Sequence, residues 1–167
     1  MIVDTISSLF NVLPQVGRLD AICLRSERMG VVSTVDEAQV MTSCGISGDH
    51  RISKKSGGKR QVTLIQAEHL QAVASMLHRE SVPPEIIRRN LVVSGINLLA
   101  LKGKQFYVGE VLLEFSGPCE PCSRMESVLG PGGYNAMRGH GGITAKVIAG
   151  GTIRKGDRVR AVLLEQA

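Results

Sequence analysis

Apolar residues recur along this chain mostly with a period of two, in short runs bounded by glycine or charge. In Val111-Leu112-Leu113-Glu114-Phe115, the side chains of Val111, Leu113 and Phe115 fall on one face, as a half-buried strand requires. Residues 19–24, 61–65 and 91–94 are short and β-prone, and residues 143–149 and 158–164 read as the last two strands. In the last of these, Val159, Ala161 and Leu163 alternate with Arg158 and Arg160. Gly150-Gly151 and Gly156-Asp157 supply turn chemistry between them.

Helical spacing is rarer. Over residues 66–79, Leu70, Val73, Ala74 and Leu77 make one apolar stripe, which predicts an amphipathic helix. A second, short helix is expected from Pro83-Pro84, since proline suits a first helical turn. A third is expected over residues 120–129. Many short strands, nineteen glycines and one clear helix predict a mainly β fold, a β-barrel with a few short helices. No repeat or linker interrupts it, so residues 1–167 are expected to form a single domain. Polar, basic residues 51–60 are expected to be an exposed loop.

Composition narrows the function. No apolar stretch approaches the roughly eighteen residues of a membrane span, and the N-terminus has no signal-peptide pattern, so no membrane association is expected. Cys23, Cys44, Cys119 and Cys122 are read as reduced thiols, and the chain as cytoplasmic. A net charge of +5 favours anionic partners. With two Tyr, three Phe and no Trp, nucleic acid is not the expected one, because single-strand binders need aromatic platforms.

The sharpest chemical feature is Gly117-Pro118-Cys119-Glu120-Pro121-Cys122-Ser123-Arg124. Its CxxC spacing allows half a zinc site, a dithiol redox pair or a single reactive thiolate. Cys23 and Cys44 form no second CxxC, and no βαβ pattern surrounds the motif, which weakens the first two. Arg124 and a following helix N-terminus would both favour a thiolate. Two idle cysteines at a turn are the plain alternative. Gly45-Ile46-Ser47-Gly48-Asp49-His50-Arg51 is a compact polar turn in which Asp49 could fix the tautomer of His50, or simply cap its own backbone. Lys54-Lys55-Ser56-Gly57-Gly58-Lys59-Arg60 fails the phosphate-loop pattern, since Arg60 stands where Ser or Thr is needed. In Arg88-Arg89-Asn90 the Arg and Asn side chains could bind phosphate or a heterocycle edge; a charged helix end is the alternative. Residues 134–142 read as a glycine-rich loop carrying Arg138 and His140.

Taken in order, Gly-Asp-His, Arg-Gln-Val-Thr-Leu-Ile, Arg-Arg-Asn-Leu-Val-Val-Ser-Gly-Ile-Asn, Val-Gly-Glu-Val-Leu-Leu-Glu, Pro-Cys-Glu-Pro-Cys, the glycine-rich loop and Gly-Gly-Thr-Ile-Arg-Lys-Gly-Asp-Arg-Val resemble the MOSC domain family, named for the C-terminal domain of molybdenum-cofactor sulfurases. The likeness runs from about Gly17 to Val162. It implies a barrel-centred β fold and an important cysteine at Cys122, which would carry sulfur as a persulfide or bind the molybdenum of the cofactor. Arg88 and Asn90 match an Arg-any-Asn pattern that contacts the pterin. Arg138, Asp49 and His50 would complete the cofactor-binding set. The family motif has Gly-Asp-any-His, whereas here His50 directly follows Asp49. Fused sulfurases carry a domain with a pyridoxal-phosphate lysine; this chain is too short for one, so the resemblance implies that it receives sulfur. Some cofactor-binding relatives also have an N-terminal β domain, which is not expected here. The implied cofactor is molybdopterin, and the implied partners are a sulfur-donating cysteine desulfurase and a molybdoenzyme acceptor. A molybdenum-dependent reductase of N-hydroxylated compounds and a non-catalytic module for an anionic partner are the alternatives.

Overall fold

The computed structural model describes residues 5–52 and 57–164. Its chain begins with one helical turn, α1 (Ile6–Leu9), followed by β1 (Gly17–Leu24), β2 (Ser33–Val35), β3 (Glu37–Met41) and β4 (Gly45–Ile46). β5 (Val62–Gln66) runs directly into α2 (Ala67–Met76), then α3 (Pro84–Ile87) and β6 (Leu91–Ser94). A 3-10 turn (Leu98–Leu101) leads to the hairpin of β7 (Gln105–Val108) and β8 (Val111–Pro118). α4 (Ser123–Leu129) and α5 (Gly133–Met137) precede β9 (Ile143–Ala149), β10 (Gly151–Arg154) and β11 (Arg158–Ala161).

Seven strands close into a ring, in the order β1, β6, β5, β9, β8, β7, β11 and back to β1, so the expected barrel is present. β2 hangs on the outside of β1, and β10, β3 and β4 form a separate three-stranded sheet. Every pairing in the ring is antiparallel except β5 with β6, which is parallel, with Leu64 opposite Leu91. A parallel pair cannot be joined by a hairpin, and here α2 and α3 make the crossover.

That crossover explains two apolar cores. Val62, Leu64, Leu91 and Val93 join the larger core together with Phe106 and Leu113. Ile65 and Val92 belong to the second, with Leu70, Val73 and Ala74 of α2 and Met125 and Leu129 of α4. β5 is therefore buried on both faces, as strands beside a crossover helix are. The apolar stripe read from residues 66–79 is the face of α2 that covers it. Removing one such side chain, as in Leu64→Ala, would cost about 2–5 kcal/mol.

Several boundaries differ from the sequence reading. β2, β3, β4, β7 and β10 were not expected; most are short and carry polar residues on an exposed face. α2 stops at Met76 because His78 adopts a left-handed backbone. α4 begins at Ser123, not near Glu120, since Pro121 pushes Glu120 out of helical conformation and Cys122 is extended. Half of the expected glycine-rich loop is α5, whose start is held by Glu126 accepting from Gly132 and Tyr134 N–H. Of the basic loop, residues 53–56 lie outside the described ones; residues 57–60 are exposed. No helix among the described residues is long and apolar enough to cross a membrane.

Candidate functional site

Three motifs separated in sequence converge beside the parallel pair. The first is the acidic turn after β4. Asp49 is buried and accepts from Arg25 N, Arg51 N and Asn90 Nδ2 at 3.0–3.1 Å. Burial raises its carboxyl above the ordinary value, and the hydrogen bond from Arg51 N, the His50 and Arg51 charges and the hydrogen bond from Asn90 oppose the shift. Arg25 Nη2 lies 3.2 Å from His50 Nε2. A guanidinium only donates, so Nε2 accepts and the ring proton sits on Nδ1, 3.6 Å from Asp49 Oδ1. At that distance no hydrogen bond joins them, and His50 Nδ1 is buried without a partner.

The second motif is Arg88-Arg89-Asn90, which turns the chain from α3 into β6. Arg88 ends α3 with φ 64° and ψ 38°, a left-handed backbone rare for a residue with a Cβ. Its Nη2 donates to Arg28 O at 3.0 Å, while its Nε is buried without a partner. Asn90 is only 6% exposed. Its Oδ1 accepts from Thr63 N and Oγ1, and its Nδ2 donates to Cys23 O and Asp49 Oδ2. Those four bonds use the whole amide, so Asn90 stands behind the site and ties β5 to the acidic turn. Arg89, between them, was passed over in the sequence. It is 8% exposed and donates to Gly141 O, Ile87 O and Cys119 O. Burial lowers its pKa, and the nearby Cys119 and Cys122 sulfurs act against that.

The third is the CxxC turn. Cys119 is buried at the end of β8, with Arg60 Nη2 3.7 Å from its sulfur. Its N–H donates to Gly142 O at 2.9 Å. The backbone comes this close because residues 141 and 142 are glycines: a Cβ on Gly141 would collide with Cys119 O, and one on Gly142 with Leu64 O. Cys122 is exposed, caps α4 through its backbone alone and leaves its thiol free. Both cysteines are unpaired. Arg124, the neighbour expected to assist Cys122, instead donates to Met29 Sδ at 2.9 Å.

Cys122, Arg88 and His50 line one cleft of about 600 Å³. Four further arginines, Arg28, Arg51, Arg89 and Arg124, complete a wall that among the described residues contains no carboxylate. Asp49 and Asn90 lie immediately behind it, lining a much smaller cavity with Arg25. Arg138 is not brought to this place; it is exposed at the end of α5, where it meets Asn135. His140 packs edge-on to His69, with ring centres 5.0 Å apart. Arg25 and Arg28 had no signal in spacing, because only the fold gathers them, whereas Arg51 belongs to the Gly45–Arg51 turn already marked in the sequence. Among the described residues no cluster of three or more His, Cys, Asp or Glu could hold a metal ion, so the CxxC motif does not complete a zinc site. Cys23 is buried, and burial and then Glu85 push its thiol up to about 11.

Residues 49–160 match the family model described as MOSC domain. No curated protein matches the chain. Among solved structures, the fold is similar to the YuaD protein from Bacillus subtilis, at TM-score 0.77 and 20% identity, over 92% of this chain and 100% of that one. It is also similar to YiiM from Escherichia coli, at TM-score 0.66 and 22% identity, over 90% and 72%. YiiM from Geobacillus stearothermophilus gives 0.68 and 18%, over 87% and 75%.

Proposed function

The chain belongs to the MOSC domain family, and from that premise we propose that residues 1–167 form one domain that handles the molybdenum cofactor or its sulfur through Cys122. Membership supports a molybdenum-cofactor-related function in general. The finer reading rests on one observation, a free, exposed thiol in a cleft walled by five guanidiniums and, among the described residues, no carboxylate.

The donor set suits the cofactor. Guanidinium forks take phosphate oxygens bidentately, and a thiolate is a soft ligand of the kind that suits molybdenum. Arg88 Nε, buried and unpartnered, would recover a hydrogen bond from a bound anion. When bound, the cofactor would supply a redox-active metal centre. Arg88, with Arg28, Arg51 and Arg89, would hold its phosphate and pterin. Asn90 would act from behind by fixing Asp49, which in turn holds the backbone of Arg25 and Arg51 beside His50 at the cleft wall. Cys122 would be the metal ligand or the sulfur carrier.

As a carrier, Cys122 thiolate would attack the outer sulfur of a donor persulfide, such as that of a cysteine desulfurase. The S–S bond of the donor breaks, Cys122 becomes the persulfide, and the donor leaves as its thiolate. A molybdoenzyme would be the acceptor. Four unpaired thiols suit a reducing compartment, which supports a cytoplasmic setting.

Two measurements test this on protein isolated from a host that makes the cofactor. Molybdenum and pterin should co-purify and fall on Cys122→Ala, or mass spectrometry should find one extra sulfur on Cys122. Absence of both overturns the proposal. Turnover of N-hydroxylated compounds with an electron donor would make the protein a reductase. Salt-dependent nucleic-acid binding unaffected by Cys122→Ala would make it an anion-binding module.

A further inference from the structure

Beside the cationic cleft lies a second groove of about 310 Å³ that shares Arg88 and Arg124 with it. Its character is different. Met29, Val31, Val32, Ile86 and Val128 line it, with Glu85 the only carboxylate among the described residues, and that carboxylate already accepts from Thr34 Oγ1. Met29 is 72% exposed and Val31 88%. Two large apolar side chains so open to water, in a groove that shares Arg88 and Arg124 with the Cys122 cleft, form an exposed apolar surface. Arg124 stands on the boundary, its guanidinium on Met29 Sδ and its residue lining both cavities.

We infer that the groove is the docking site for an acidic segment of a protein partner that carries an aliphatic side chain next to its own sulfur. The inference rests on the sulfur-carrier reading. The complementarity is two-part. Carboxylates of the segment meet Arg28, Arg51, Arg88 and Arg124, which no acidic residue of the cleft wall neutralises. The aliphatic side chain covers Val31 and Val128, burying apolar surface on both sides. Together they place the partner's sulfur against Cys122 and disfavour basic or wholly polar sequences.

The test uses the full chain and three synthetic peptides, each with a central cysteine held as a mixed disulfide with thionitrobenzoate. One is acidic with a neighbouring leucine, one acidic with serine in that place, and one is the lysine counterpart of the first. Cys122 thiolate attacks the peptide sulfur, a protein–peptide disulfide forms, and thionitrobenzoate leaves as the coloured thiolate; Cys122→Ser gives the background. At low salt the acidic leucine peptide should react about tenfold or more faster than the lysine peptide, and added salt should shrink that ratio. The acidic serine peptide should be slower than the leucine one. Val31→Ser, at a position too exposed to endanger folding, should erase the leucine advantage while keeping the charge preference. Equal rates for the three peptides, or a leucine advantage indifferent to Val31→Ser, would overturn the docking site. The two readings fail separately: uniform peptide rates in a protein that carries a persulfide would sink only the groove. Selective rates in a protein with neither persulfide nor molybdenum would sink only the carrier role.

Discussion

Asn90 Nδ2 donates to Asp49 Oδ2 at 3.1 Å, so two motifs forty-one residues apart in the chain are one hydrogen-bonded unit. The same amide holds Thr63 of β5 through its backbone and its hydroxyl. Replacing Asn90 with Ala strands Thr63 N and removes a buried partner of Asp49. Each orphaned buried group costs about 1–3 kcal/mol. Urea unfolding of Asn90→Ala should therefore show a loss of about 2–6 kcal/mol, by the same principle applied to two groups. A loss under about 0.5 kcal/mol, the usual size of a surface substitution, would contradict the role assigned to this side chain.

Gly142 should tolerate nothing larger. Its φ is +89°, and an added Cβ would strike Leu64 O, so Gly142→Ala must shift the start of β9 or fail to fold. Gly139 has a similar φ of +79° but open space around it. Gly139→Ala should cost only the backbone term, about 1 kcal/mol. Comparable melting temperatures for the two variants would refute the close approach.

Acid should loosen α5 through Glu126. Hydrogen bonds from Tyr134 N and then Gly132 N hold its carboxyl below the ordinary value of 4.5. A carboxylate depressed in the folded state stabilises above its unfolded value and loses that contribution as pH falls through the folded one. Glu126→Gln should therefore be less stable than the parent at neutral pH, and the difference should vanish well below pH 4.5. Melting curves across that range check it; a difference that persists in acid would assign the effect to packing instead.

The cysteines should separate by reactivity. Cys122 is exposed, whereas Cys23 is buried with its thiol pushed up to about 11. Brief alkylation of native protein at neutral pH, followed by peptide mapping, should label Cys122 well before Cys23, and denaturant should remove the contrast. Labelling of Cys23 first would place the candidate nucleophile wrongly.

Much of this fold is written locally. The alternation of Val111, Leu113 and Phe115 and the stripe through Leu70, Val73 and Ala74 mark β8 and α2 because each has one face to bury. β3 also alternates, with Ala38 and Val40 inward, but it is short and sits among polar residues, so its pattern is easily missed. α5 has no local signature, since its cap is a carboxylate from the preceding helix. The site divides in the same way. Cys122, Arg88 and the Asp49 turn stand out as motifs. Arg51 comes with the Asp49 turn, Arg25 and Arg28 enter only through chain reversals, and Arg89 is marked by burial and three carbonyl partners, which sequence cannot display. Arg138 had the right chemistry but lies on a turn that ends away from the cleft.

The lone parallel joint in the ring has a consequence for how such a protein can vary. Elsewhere adjacent strands can be linked by a tight turn, and lengthening that turn disturbs only the surface. Between β5 and β6 the chain must leave the wall, travel over it as helix and come back, and the point of return is Arg88-Arg89-Asn90. An insertion or trimmed residue in that detour changes where those three side chains land, even if every strand stays paired. The placement of these three side chains and the closure of the ring are thus set by one stretch of backbone, and neither can drift without the other.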